Sequence, residues 1–201
     1  MSECTVRAAK AADEGPVLEL AQAEMRAHER LDPRFKLRPD ADSRYVVYLR
    51  ERIRDLDSAV FVAEMPDGRI VGSVVASVRT QESFFENRRF GYVSDLIVSP
   101  DARRQGVGQA LWERCALWFK GLGIDVVRVH IAVASAEARR FWDRVGASDF
   151  LTESWIDLSA PAAGSAPGAA ANEADPKAPG APTSAPPPAA GPSASDLTEL
   201  A

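Results

Sequence analysis

The chain has 201 residues, 46% of them hydrophobic, and a formal net charge of −5. An acidic balance argues against nucleic acid as a partner, and no apolar run reaches membrane-spanning length. The opening Met1-Ser2-Glu3-Cys4 lacks a secretion signal, and Cys4 and Cys115 make neither a zinc set nor a disulfide framework, so a cytoplasmic protein without metal is expected.

Residues 5–9 read as a short strand. Asp13 is placed to cap a helix that carries Val17, Leu18, Leu20, Ala21 and Met25 and ends near Arg30. Pro33 makes residues 31–35 a turn, because proline cannot continue a helix and restricts the residue before it. A second helix opens at Ser43, with Tyr45, Val46, Leu49 and Ile53 on one side. Residues 59–65 and 70–78 flank Pro66-Asp67-Gly68-Arg69, the pattern of a hairpin. Residues 80–89 form a polar loop around Phe84 and Phe85, suited to line or cover a site. Residues 92–98 are β-branched and aromatic enough for a strand, which Ser99-Pro100-Asp101 stops. Downstream, Ala110, Leu111, Cys115, Leu117, Trp118 and Leu122 recur at helical spacing, with Cys115 on the apolar stripe as a small hydrophobe.

Residues 126–133 read as a buried strand, 135–145 as a helix followed by Gly146, and 150–158 as holding a last strand. The order is β-α-α-β-β-β-α-β-α-β, a mixed α/β sheet with helices on both faces. Nine of the 14 prolines fall after residue 158, among Ala, Gly and Ser. Such a segment has little apolar surface to offset the entropy of ordering, so residues 1–158 are predicted as one domain and 159–201 as a disordered tail. The tail holds Glu173, Asp175, Asp196 and Glu199 against Lys177, leaving the domain at about −2 by this count.

The densest signal is Arg103-Arg104-Gln105-Gly106-Val107-Gly108, a glycine-rich turn between predicted strand and helix. A helix start leaves backbone N–H groups unpaired and favours phosphate, and glycines let a diphosphate approach the main chain. Arg103 and Arg104 add positive charge. The spacing excludes a Walker loop, which needs lysine after the last glycine, and a dinucleotide fingerprint, whose third glycine position is Leu111. What fits is R-x-x-G-x-G.

That pattern resembles the acyl-coenzyme A signature of the GNAT (general N-acetyltransferase) superfamily. A second segment, Ser135 to Gly146, resembles the family's N-x-x-A-x-x-F-Y-x-x-x-G stretch, and the element order matches the fold over the whole domain. The resemblance implies acetyl-coenzyme A as co-substrate and an amine of a small molecule or a protein as acceptor, with transfer by direct attack in a ternary complex. It also implies that backbone groups of Leu96, Ile97 and Val98 pair with the pantetheine arm. The slot for that arm would lie where this strand splays from residues 126–133. The main chain of Arg104, Gln105, Gly106, Val107, Gly108 and Gln109 would hold the pyrophosphate. Dimers are common among such proteins, so a homodimer is an open possibility. Two positions depart from the pattern: Ser135 replaces asparagine, and Trp142 replaces the tyrosine that often reprotonates the thiolate. Indole is a donor only and no general acid, so Trp142 shapes the acyl pocket or packs. A non-catalytic acyl-coenzyme A sensor is the alternative.

Acylation of an amine needs its neutral form, so a base is expected near the acyl carbon. Asp95 interrupts an apolar strand at that point and, on strict alternation, shares a face with Val93 and Ile97. Burial would raise its pKa; the competing role is a structural aspartate. Tyr92 offers a hydroxyl nearby. His28 reads as a surface histidine or a pocket residue, His130 as a core hydrogen-bonding group, and Glu82 and Glu86 as solvated loop charges.

Overall fold

The computed structural model describes residues 4–86, 88–156 and 158. The chain divides into two units, Met1–Phe150 and Leu151–Ala201. The described residues of the second, 151–156 and 158, form neither helix nor strand. The tail expected at 159–201 lies outside the described residues.

The first unit is a five-stranded mixed sheet in the order β1 (Thr5–Ala8), β2 (Ser58–Glu64), β3 (Ile70–Thr80), β4 (Arg89–Val98) and β5 (Val127–Val129). The first three pairings are antiparallel and β4–β5 is parallel. Around it stand α1 (Glu14–Leu31), α2 (Ala41–Arg54), α3 (Val107–Gly121) and α4 (Ala136–Arg144). Among the described residues no helix is long and apolar enough to cross a membrane.

Strand alternation divides the apolar residues between two cores. On one side Phe61, Ala63, Val74, Ala76 and Val93 pack with Val107, Leu111, Cys115 and Phe119 of α3 and Trp142 of α4. On the other, Val60, Val62 and Val75 pack with Val17 of α1 and Leu49 of α2. Helices therefore cover both faces, as the sequence predicted. Gly91 lets α3 come this close, since a Cβ there would lie 2.6 Å from the Phe119 ring.

Four sequence expectations need correction. Asp13 does not cap α1. Its buried carboxylate instead accepts the Lys10 N–H at 2.7 Å and two Arg7 N–H groups at 2.7 and 2.9 Å, which holds its pKa down and ties β1 to the start of α1. Arg7 also donates to Glu64 on β2. Helix α2 begins at Ala41, and Ser43 Oγ donates back to the Asp40 carbonyl at 2.9 Å. The strand expected over 126–133 shrinks to Val127–Val129, because its partner β4 is kinked just beyond, so His130 is exposed and outside the strand. No strand forms among described residues 150–156, where apolar side chains find no ladder to join.

Candidate functional site

The kink in β4 organises everything near it. In the β3–β4 ladder Ser77 faces Tyr92, Ala76 faces Val93, Val75 faces Asp95 and Val74 faces Leu96. Ser94 is left over, a β-bulge. Val93 therefore turns into the α3 core, while Asp95, opposite Val75, lies on the α1/α2 side. The expectation that Val93 and Asp95 share a face is corrected by this one inserted residue; Ile97 still shares it. The same shift places Tyr92 and Asp95, three apart in sequence, on one face.

β5 pairs with β4 only from Gly91 to Val93. Past that point the β4 edge toward β5, which includes Leu96, Ile97 and Val98, has no strand partner among the described residues. Leu96 and Val98 turn toward the start of α3, 3.7 and 3.6 Å from where a Cβ on Gly108 would sit.

The helix start beside this edge is shaped by two left-handed residues, Arg104 at φ 61° and Gly106 at φ 88°. Gly106 is the residue before the helix; among the described residues no side chain caps it, and beyond its chain neighbours none lies within 4 Å of where its Cβ would be. The first turn, Val107, Gly108 and Gln109, presents N–H groups that the helix cannot pair. Open backbone donors beside two left-handed residues suit a diphosphate. Arg103 does not contribute free charge there, which corrects the sequence expectation. Its Nε donates to the Val98 carbonyl at 3.1 Å, and its guanidinium pairs with Glu137 at 2.9 Å and Glu24 at 3.8 Å. Arg104 is exposed and makes no ion pair among the described residues. Gln105 donates to the Asp101 carbonyl at 2.8 Å and Gln109 to Glu113 at 3.0 Å.

On the α1/α2 side of the sheet ionisable groups gather around Asp95. Asp95 is half-buried and no hydrogen bond from a described residue reaches its carboxylate. Desolvation pushes its pKa up to about 6, with His28 pulling down and Glu24 pushing up. Glu24 and His28 lie one turn apart on α1, 3.7 Å from each other, and the His28 ring rests on Phe35 at 5.2 Å. Tyr45 and Tyr48 enter from α2, their rings 5.7 Å apart. Tyr48 Oη and Ser94 Oγ are hydrogen-bonded at 2.7 Å, while the buried Tyr45 hydroxyl has no partner among the described residues. Tyr92 Oη bonds His130 Nδ1 at 3.1 Å, and the Arg79 guanidinium lies 3.4 Å over the Tyr92 ring.

The remaining predicted residues stand apart from this group. Ser135 precedes α4 without capping it, and Trp142 is buried on the α3 side, edge-on to Trp112 at 5.4 Å and Phe141 at 5.1 Å. Glu82 and Glu86 are exposed, beside stacked Phe84 and Phe85. Cys115 is fully buried and its thiol is pushed up to about 12 by desolvation, as suits a small hydrophobe. Among the described residues no group of His, Cys, Asp or Glu could hold a metal. Sequence reasoning passed over Glu24, Tyr48 and Ser94, and read Tyr45 only as packing. The available signal was two tyrosines at i, i+3 on the apolar side of α2.

A model of the acetyltransferase (GNAT) family matches residues 19–147. Over 66 residues the chain is 35% identical to the aminoglycoside N(6')-acetyltransferase type 1 of Klebsiella aerogenes, covering 33% of this chain and 43% of that protein. Over 98 residues it is 31% identical to an uncharacterized N-acetyltransferase of Archaeoglobus fulgidus, covering 49% of this chain and 63% of the relative. The chain thus spans less than two thirds of the length of the curated relatives it matches. Among solved structures, a tetramutant of the BH1408 protein of Bacillus halodurans aligns with a TM-score of 0.68 at 19% identity, over 77% of this chain and 99% of that one.

Proposed function

From the premise that the chain belongs to the acetyltransferase (GNAT) family, we propose that it transfers an acetyl group from acetyl-coenzyme A to an amine by direct attack in a ternary complex. The observation that carries the reading is the parting of β4 from β5 after Val93, beside a helix start that no side chain caps. The free edge at Leu96, Ile97 and Val98 suits the amide-bearing pantetheine arm. The main chain from Arg104 to Gln109 suits the pyrophosphate, with Arg104 as neighbouring charge. Arg103 braces this loop to β4, α1 and α4. Ser135 and Trp142 lie at the matching positions of the next unit, with Trp142 supporting the floor by packing. When bound, acetyl-coenzyme A supplies a thioester whose C–S bond breaks as the C–N bond to the amine forms.

Asp95 takes the proton that the ammonium gives up. A carboxylate held near 6 is a better base than an ordinary one, yet is still mostly charged at neutral pH. Glu24 and Asp95 make this side of the sheet attractive to a cation. Tyr92, on the same face and bonded to His130, is the hydroxyl that returns a proton to the departing sulfur. A thiol is acidic enough that this step is not obligatory.

The acceptor is a small-molecule or protein amine. The test is release of free thiol from acetyl-coenzyme A with butylamine, spermidine, kanamycin and an N-terminal peptide amine. The aminoglycoside is included because a relative is named for that class. Acetylated amine by mass spectrometry is the expected result. Tight coenzyme binding without turnover across such a panel would overturn it in favour of a sensor, the reading suggested by an indole at position 142.

A further inference from the structure

Two unpaired polar groups occupy the same side of the bulge. The Tyr45 hydroxyl is closed off from solvent and has no hydrogen-bond partner among the described residues. The Asp95 carboxylate has none from any described residue either. A buried donor left unmade is costly, so its persistence calls for a state in which it is used.

The placement is triangulated by three contacts. Tyr48 Oη is fastened to Ser94, the residue before Asp95, at 2.7 Å, which sets α2 against the bulge. Tyr45 is one turn earlier on the same helix, its ring 5.7 Å from that of Tyr48. It packs on the core that contains Val75, and Val75 is the ladder partner of Asp95. The Asp95 charge acts on both phenols. The groups that face Asp95 are Glu24 and His28 from α1 and Tyr45 and Tyr48 from α2, with Tyr92 on its own strand; Arg52 and Arg79 act on Tyr48. Among these, Tyr45 alone combines an O–H donor with the lack of any partner among the described residues.

Resting on the reading of Asp95 as the base, we propose that Tyr45 is its positioning residue, its O–H donating to the Asp95 carboxylate in the charged form. That bond steadies the carboxylate between proton transfers and favours its charged form. It also gives a reason for a tyrosine where phenylalanine would fill the same volume.

The experiment is an NMR titration of the Asp95 side-chain 13Cγ in the free protein, wild type against Tyr45→Phe and Tyr48→Phe, with no substrate present. Losing a donor to the charged form raises the pKa, so Tyr45→Phe should shift the Asp95 midpoint upward by about one unit, a tenfold change in its ionisation constant. Tyr48→Phe, whose hydroxyl is spent on Ser94, should move it far less. The acidic limb of kcat/KM should shift by the same amount in Tyr45→Phe. If that variant does not fold, the wild-type Tyr45 13Cζ signal decides: it should inflect at the Asp95 midpoint, and the inflection should vanish in Asp95→Asn. An Asp95 midpoint unmoved by Tyr45→Phe, or a Tyr45 signal blind to Asp95, overturns the proposal. An absence of turnover with a shifted midpoint overturns the acetyltransferase reading and leaves the pairing standing.

Discussion

Against α3 the sheet buries Phe119, Leu111, Cys115, Val107 and Val74 to 1% exposure or less, and the Cys115 thiol buried among them is silenced by desolvation. Against α1 and α2 the same sheet buries a smaller set, Val17, Leu49, Val60, Val62 and Val75. There it also collects a raised carboxylate, a histidine, a glutamate and two tyrosines, one with an unmade hydrogen bond. One face is dry packing and the other is held short of completion. The cost of leaving polar groups unpaired on one side is offset by close packing on the other.

Mutations break this contrast in opposite ways. Asp95→Asn should have the largest effect, lowering kcat by about 10²- to 10⁴-fold, the range for loss of a general base, with acetyl-coenzyme A affinity unchanged by calorimetry. A parallel fall in affinity would make Asp95 structural. Leu111→Ala, on the dry face, should cost about 2–5 kcal/mol in urea unfolding while sparing the KM for the amine. Gly91→Ala drives a Cβ to 2.6 Å from the Phe119 ring and should cost about 1–3 kcal/mol by overpacking. Equal stability in that variant would mean that α3 can retreat from β4.

The last effect is one of pH. The Asp95 carboxyl, at about 6 against an ordinary 3.8, holds its proton more tightly in the folded chain. Its contribution to stability is full below about pH 4 and is lost as pH rises through 6. Asp13 is shifted the other way and contributes above its ordinary value, losing that as pH falls. The difference in unfolding free energy between wild type and Asp95→Asn isolates the first trend. It should favour the variant increasingly from pH 4 to 6 and then level off; a flat difference would sink the assignment.

Much of this architecture was legible in the sequence. Helical spacing from Ala110 to Leu122 marked α3, and Pro66-Asp67-Gly68 marked the hairpin, because local chemistry decides such elements. The glycine loop was legible for the same reason, since a left-handed turn at Gly106 writes itself as a residue type. The bulge at Ser94 was not, because an unpaired residue is defined by the register of two strands and leaves no local mark. The assembly of Glu24, Tyr45, Tyr48 and Asp95 was equally hidden, being drawn from three elements far apart in sequence. Arg103 misled for a related reason: its charge is read from its type, and its ties to Val98, Glu137 and Glu24 are not. The overlong strand at 126–133 failed with the bulge, since β5 can run only as far as β4 offers a straight edge.

Ser94 is one residue more than a regular ladder requires. Take it away, and Val93 still meets Ala76 while Asp95 still meets Val75, so every side chain keeps its side of the sheet. What disappears is the surplus length, and with it the slack that bends β4 away from β5. The opening beside β4 is thus a property of chain length and not of any side chain at 94: a shortened strand would keep its aspartate correctly aimed and zip closed the gap that the aspartate faces across.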